Sequence, residues 1–266
     1  MNTRSLPASP LARIVRGNGP GLLLAHGGGG GVGPNFDAVL DGLAERYTVV
    51  GPDYPGTGGT PRATAPLDLD TLTDQVVAAA VEEGLETFAV CGYSLGTAVA
   101  VRAATRHPER VTALVLTAGF AYPNPRMRLA VRTWLDHLRA MDLDPDRIAA
   151  FLALIGIGNQ ALDAFDEAAL DKLLKDAVAT VPPGTEDHVA LVERVDVRAD
   201  LAAVRVPTLV VSTTLDQLAT PYHHRQLADG IAGSRFAELE SGHLPFAERP
   251  TEWLAMMRAF LDEVHA

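Results

Sequence analysis

The pentapeptide Gly92-Tyr93-Ser94-Leu95-Gly96 holds a hydroxyl nucleophile between two glycines. It stands where an apolar run, Thr87-Phe88-Ala89-Val90-Cys91, stops and an alanine-rich helical stretch, Thr97-Ala98-Val99-Ala100-Val101, begins. A serine on such a strand-to-helix turn is held in a strained backbone conformation with its hydroxyl thrust outward, and the flanking glycines remove the β-carbons that would keep strand and helix apart. With 24 glycines and six serines in 266 residues, roughly 0.05 matches to this pattern arise by chance. A serine hydroxyl is a poor nucleophile until a general base takes its proton, and the base needs an orienting carboxylate. Both must be sought at other strand ends. The apolar strand Pro207 to Thr213 runs into Thr214-Leu215-Asp216, and the strand ending near Leu239 is followed by Glu240-Ser241-Gly242-His243. The chain order is nucleophile Ser94, acid Asp216, base His243, which is the equipment of acyl transfer. Asp187, Asp196 and Asp200 compete with Asp216 but lie in or after a helical block, not beyond a strand. His107, His137, His188, His223, His224 and His265 fall on helices or helix ends.

The elements that must position these groups alternate. Strands are expected at 21–26, 47–52, 87–91, 111–117, 208–213 and 235–239, with 11–16 as an antiparallel edge. Helices are expected at 36–45, 69–84, 95–106, 221–231 and 251–264. This predicts an α/β fold: a mostly parallel, doubly wound sheet covered by helices on both faces. One interval breaks the alternation. Between Ala121 and Val206 only amphipathic helical patterns occur, such as Met127, Ala130, Trp134, Leu138 and Met141, then Ile148, Phe151, Leu152 and Ile155. The expected organisation is therefore a core of residues 1–120 and 207–266 with a helical cap at 121–206, laid over the strand ends where ligands of open α/β sheets bind.

A formal charge of −11 and 47% hydrophobic residues describe an acidic globular chain. No basic stripe exists to release counterions from phosphates, so no nucleic-acid partner is expected. The start, Met1 to Pro7, lacks the apolar core of a signal peptide, and the long uncharged spans are broken by glycine clusters or by the Ser94 turn. A cytoplasmic protein with no membrane partner is expected, and the sequence carries no signal of its assembly state. Cys91 is the single cysteine. It excludes an internal disulfide and reads as a buried core thiol.

The whole chain resembles the α/β-hydrolase fold superfamily, in its serine-nucleophile branch with a helical cap. The residues that carry the likeness are His26-Gly27-Gly28, Asp53-Tyr54-Pro55-Gly56-Thr57-Gly58, the Gly92–Gly96 turn, His107-Pro108-Glu109-Arg110, Asp216, Gly242-His243 and Glu248-Arg249-Pro250. The resemblance implies that Ser94 is the nucleophile, His243 the base and then acid, and Asp216 the residue that fixes the histidine tautomer. It implies no cofactor and no metal. It also implies that the loop after the first central strand supplies one amide to an oxyanion hole, here Gly28 or its neighbour Gly29, with Leu95 supplying the other. His26 is expected to brace that loop. The expected activity is cleavage of an ester, lactone or thioester of a small to medium apolar substrate, with Gly29, Tyr93 and Trp134 as candidate substrate contacts. A lyase, a cyclase or a carbon–carbon bond hydrolase would use the same triad, and a binding module on this scaffold would use none of it.

The glycine run at 27–31 carries a rival reading. Gly28, Gly30 and Gly33 match G-x-G-x-x-G after a strand, and Asp53 follows 20 residues later, as 53 minus 33 gives. That spacing predicts an NAD-binding oxidoreductase, but it leaves Ser94, Asp216 and His243 unexplained. In the hydrolase reading Asp53 has no chemistry and caps the turn at Pro55 and Gly56.

Overall fold

The computed structural model describes Leu6 and residues 8–141, 145–179 and 181–265; the start of the chain, read above for a leader, lies outside them apart from Leu6. Seven strands form one sheet: β1 (Arg13–Arg16), β2 (Gly21–Ala25), β3 (Thr48–Pro52), β4 (Phe88–Tyr93), β5 (Val111–Thr117), β6 (Thr208–Thr213) and β7 (Arg235–Leu239). Their spatial order is β1-β3-β2-β4-β5-β6-β7, with β1 antiparallel to β3 and every other pair parallel.

Because β2, β4 and β6 are buried along their whole length, they read as continuous apolar runs and not as alternating ones. Their side chains still alternate between two cores. Leu23, Val90, Leu114 and Val210 face one layer with α2 (Leu69–Glu82), α3 (Leu95–Arg106) and α10 (Pro221–Gly230). Leu22, Leu24, Ala89, Val115 and Val211 face the other, with α1 (Val32–Ala44) and α12 (Pro250–Val264). Cys91 belongs to this second core, and burial pushes its thiol up to about 12. It is a protonated core side chain.

Helix α1 begins four residues earlier than its apolar periodicity indicates. Gly33 and Pro34 lie in its first turn, where the amides lack helical partners in any case and proline costs no hydrogen bond. The other helix bounds agree with the sequence to within two residues, and a short helix, α11 (Pro245–Glu248), was not foreseen.

Between β5 and β6 the described residues contain helices and no strand: α4 (Pro125–Arg139), α5 (Pro145–Gly156), α6 (Asn159–Asp163), α7 (Glu167–Ala179), α8 (Thr185–Val192) and α9 (Arg198–Leu201). Asn124 caps α4 by accepting the Met127 amide at 2.9 Å, and Pro125 opens the helix. Met127, Val131 and Leu135 recur every four residues along α4 and are buried with Val189 of α8. Helix α4 packs on α5 and α8, and α5 packs on α7. From Val195 onward the chain rejoins the core through Val197, Leu201 and Val204. No helix among the described residues is long and apolar enough to cross a membrane.

Candidate active site

Ser94 stands between β4 and α3 with φ 52° and ψ −118°, a conformation that costs a residue with a β-carbon on the order of 1–3 kcal/mol. Three bonds hold it there. Its amide donates to the Thr117 carbonyl of β5 at 3.0 Å, and its carbonyl accepts the Thr97 amide at 2.9 Å and the Thr97 hydroxyl at 2.7 Å. The glycines have the role the spacing predicts. A β-carbon on Gly96 would lie 1.9 Å from the Ala25 carbonyl oxygen, and one on Gly92 would lie 2.5 Å from that of Gly96.

Strands β4, β6 and β7 are parallel, so the loops that follow them emerge along one edge, and Ser94, Asp216 and His243 meet there. His243 Nε2 lies 3.0 Å from Ser94 Oγ, and His243 Nδ1 lies 2.7 Å from Asp216 Oδ2. Asp216 is buried, and its other partners are all donors: the Thr213 hydroxyl at 3.0 Å and the Leu218 and Ala219 amides at 2.8 and 2.9 Å. Its oxygens act as acceptors throughout, so the proton between the two side chains sits on His243 Nδ1. Nε2 is left with a lone pair toward the serine hydroxyl. The competing acids are occupied elsewhere: Asp187 pairs with Arg62, Asp196 with Arg198 and Asp200 with Arg102.

Two residues the sequence did not single out for this loop fix the base. The Tyr93 hydroxyl donates to the His243 carbonyl at 2.8 Å, while its ring lines the cavity beside Ser94. The Glu248 carboxylate accepts the Gly242 amide at 3.1 Å and the Gly158 amide at 3.2 Å, tying the base loop to the connection between α5 and α6.

Three amides of the glycine run have partners. The Gly27 amide donates to Asn35 Oδ1 at 3.0 Å, the Gly29 amide to His188 Nδ1 at 3.2 Å and the Gly30 amide to the Gly27 carbonyl at 3.4 Å. Gly29, at φ +74°, adopts a backbone conformation open to glycine. Among the described residues the Gly28 and Leu95 amides have no partner in the protein, and Leu95 is the first residue of α3, at its positive end. The choice between Gly28 and Gly29 is thereby narrowed, because the Gly29 amide is taken. His26 braces the loop as expected. Its Nδ1 donates to the Gly27 carbonyl at 2.8 Å and its Nε2 accepts the Tyr54 amide at 2.9 Å.

The dinucleotide spacing is corrected by the same geometry. Asp53 Oδ1 accepts the Val32 amide at 2.9 Å, so this carboxylate sits on the helix end that would receive a pyrophosphate. Asp53 anchors the start of α1; it does not cap the turn at Pro55 and Gly56. Among the described residues no group of His, Cys, Asp and Glu side chains is arranged to hold a metal ion.

A cavity of about 520 Å³ opens beside Ser94 and His243. The core contributes Gly28, Gly29, Leu218 and Phe246, and the helical insertion contributes Trp134, Leu152, Ile155, Leu173 and Thr185. No Asp, Glu, Lys or Arg side chain lines it among the described residues.

A family model described as the alpha/beta hydrolase fold matches residues 20–250. The chain belongs to the α/β-hydrolase fold family. This α/β hydrolase is similar, at 28% identity, to a pyrrolizixenacetamide deacetylase of Xenorhabdus hominickii, over 98% of both chains. It is 30% identical to a pimeloyl-[acyl-carrier protein] methyl ester esterase of Neisseria meningitidis, over 86% of this chain and 89% of that one. A solved thermophilic esterase from Thermogutta terrifontis superposes with a TM-score of 0.82 at 25% identity, covering 96% of this chain and 94% of the other.

The buried histidines of the hydrolase set its acid stability. Burial lowers His26 to about 3 and His224 to about 4, and it lowers His188 and His223 as well. A folded value below the unfolded one, about 6.5, means that the unfolded chain binds more protons between those limits. Stability is therefore complete above about pH 6.5 and is lost as pH falls toward 4. His26 and His224 together are expected to remove on the order of 4 kcal/mol between pH 7.5 and 5.0, lowering the urea midpoint by about 1 M or more. Equal urea midpoints at pH 7.5 and 5.0 would contradict neutral burial of these rings.

Proposed function

We propose that this protein is a serine hydrolase that cleaves esters, lactones or thioesters of small to medium apolar substrates through an acyl-enzyme. The observation that carries the reading is the hydrogen-bonded series Ser94, His243, Asp216 at the mouth of an uncharged cavity. The relatives support it, since one bears the name of a methyl ester esterase and another that of a deacetylase.

In this mechanism His243 Nε2 takes the Ser94 proton as Oγ attacks the substrate carbonyl, and Asp216 steadies the imidazolium that results. The amides of Gly28 and Leu95 hold the oxyanion, with the positive end of α3 behind Leu95. His243 then gives its Nε2 proton to the departing alcohol or thiol. Water enters, loses a proton to Nε2 and attacks the acyl carbon, and Ser94 recovers its hydrogen when the second tetrahedral intermediate collapses. Helices α4 to α8 serve as the cap, keeping bulk water from the acyl-enzyme and lining the acyl site with apolar side chains.

A cavity without a cation accepts a carboxylate poorly, because burying an unpaired charge costs several kcal/mol. Across p-nitrophenyl esters of graded chain length, kcat/KM is expected to exceed that of the matching dicarboxylic half-esters by about 100-fold or more. Comparable rates for charged and neutral acyl groups would remove the apolar-cavity reading, and no hydrolysis of any member would remove the hydrolase reading.

A further inference from the structure

Helix α8 is joined at its N-terminus to the loop after β3. The Gly184 amide, at its N-terminus, donates to the Gly56 carbonyl at 3.0 Å, and a β-carbon on Gly184 would lie 2.3 Å from the Pro55 carbonyl oxygen. One turn on is His188, fully buried, its ring centre 6.0 Å from that of His26 and 5.9 Å from that of Tyr54. An amide can only donate, so the bond from Gly29 N–H makes Nδ1 an acceptor. The remaining ring proton is on Nε2, which lies 2.9 Å from the Pro55 carbonyl oxygen and donates to it. A single rigid ring thus spans the loop after β2 and the loop after β3.

We propose that His188 is a positioning residue for the oxyanion hole: by taking the Gly29 amide on Nδ1 and giving its Nε2 proton to Pro55, it holds the glycine loop with the Gly28 amide free beside Ser94. A flexible five-glycine loop has many conformations, and an oxyanion donor works only if it is in place before the charge develops. The neighbouring amides at Gly27 and Gly30 are held by Asn35 and by the loop itself, so among the described residues His188 is the hydrogen-bonding restraint that reaches these amides from the insertion. Burial lowers the pKa of the ring, which keeps Nδ1 unprotonated and able to accept. The helical insertion on this view builds part of the catalytic floor as well as the roof of the cavity.

The inference rests on the serine-hydrolase reading, and paired substitutions test it separately. In His188→Asn the side-chain oxygen falls near the position of Nδ1 and keeps an acceptor for Gly29, while the bond to Pro55 is lost. In His188→Gln the amide reaches the position of Nε2 and keeps a donor for Pro55, while the bond from Gly29 is lost. With p-nitrophenyl butyrate, kcat of the Asn variant should stay within about threefold of the parent. The Gln variant should lose about 10- to 100-fold in kcat at a KM within about threefold, because a displaced donor fails mainly in the transition state. The rate of fluorophosphonate labelling should fall in parallel. Equal losses in the two variants, or losses that follow their melting temperatures, overturn the proposal. Should neither variant fold, nitrogen-15 NMR of the parent decides: His188 must carry its proton on Nε2, and a proton on Nδ1 overturns the proposal. If Ser94→Ala is inactive while the two variants behave alike, only this inference falls; if Ser94→Ala still turns over, the serine-hydrolase reading falls instead.

Discussion

Ser94→Ala is expected to lower kcat by about 10⁴-fold or more and to abolish labelling by a fluorophosphonate, while the melting temperature moves by less than about 4 °C. The two halves of this result have separate causes. Alanine has the same β-carbon as serine, so the backbone at φ 52° and its three anchoring bonds to Thr117 and Thr97 are unchanged. The fold loses only the 3.0 Å bond between Oγ and His243, worth about 1 kcal/mol. The reaction loses its nucleophile. Hydrolysis by the variant at even a few per cent of the parent rate, or retained labelling, would mean that another group attacks the carbonyl.

The second large effect follows from how Asp216 is surrounded. In Asp216→Asn the Leu218 and Ala219 amides, both donors to Oδ1, require the side-chain oxygen on their side, which turns the NH₂ toward His243. A donor facing Nδ1 forces that nitrogen to accept, so the ring proton moves to Nε2 and points at Ser94. The base then has no lone pair for the serine proton. A fall in kcat of about 10⁴-fold is expected, with the shape of the site intact. A loss of less than tenfold, measured on p-nitrophenyl butyrate, would show that the orientation of His243 does not depend on this carboxylate.

What the sequence discloses and what it hides divide along the distance over which a residue acts. Ser94, Asp216 and His243 were legible because each follows a strand of the parallel sheet, buried for β4 and β6 and at the edge for β7, and parallel strands bring their C-terminal ends to one edge. The turn at Ser94 was legible because its glycines answer to backbone within a few residues or across one strand pair. His188 was not, since its partners Gly29 and Pro55 lie more than 130 residues away and nothing in the pattern of α8 distinguishes it from a core histidine. Asp53 misled in two ways. Its spacing fits a nucleotide fingerprint and its neighbours fit a turn, while its actual partner is the Val32 amide at the start of a helix whose first turn, with Gly33 and Pro34, does not look helical. Tyr93 was named for its place beside the nucleophile, but the destination of its hydroxyl, 150 residues along the chain, is set only by tertiary packing.

The glycine run has a further consequence for how this molecule can change. Five adjacent glycines look like the most replaceable segment of a protein, yet the space around them is almost closed. A β-carbon would lie 2.7 Å from the Tyr93 ring at Gly27, 2.8 Å from Thr185 at Gly29 and 2.6 Å from Asn35 at Gly30. Only at Gly28 are the nearest atoms, on His188, Leu95 and Val192, all at ordinary contact distance, 3.5 Å or more. Ordering such a run also takes roughly 0.5–1 kcal/mol more per residue than ordering alanine, against a total stability of about 5–15 kcal/mol. Mutational drift is thus confined in a segment that looks unconstrained, and the roomiest position, Gly28, carries the amide proposed to meet the oxyanion.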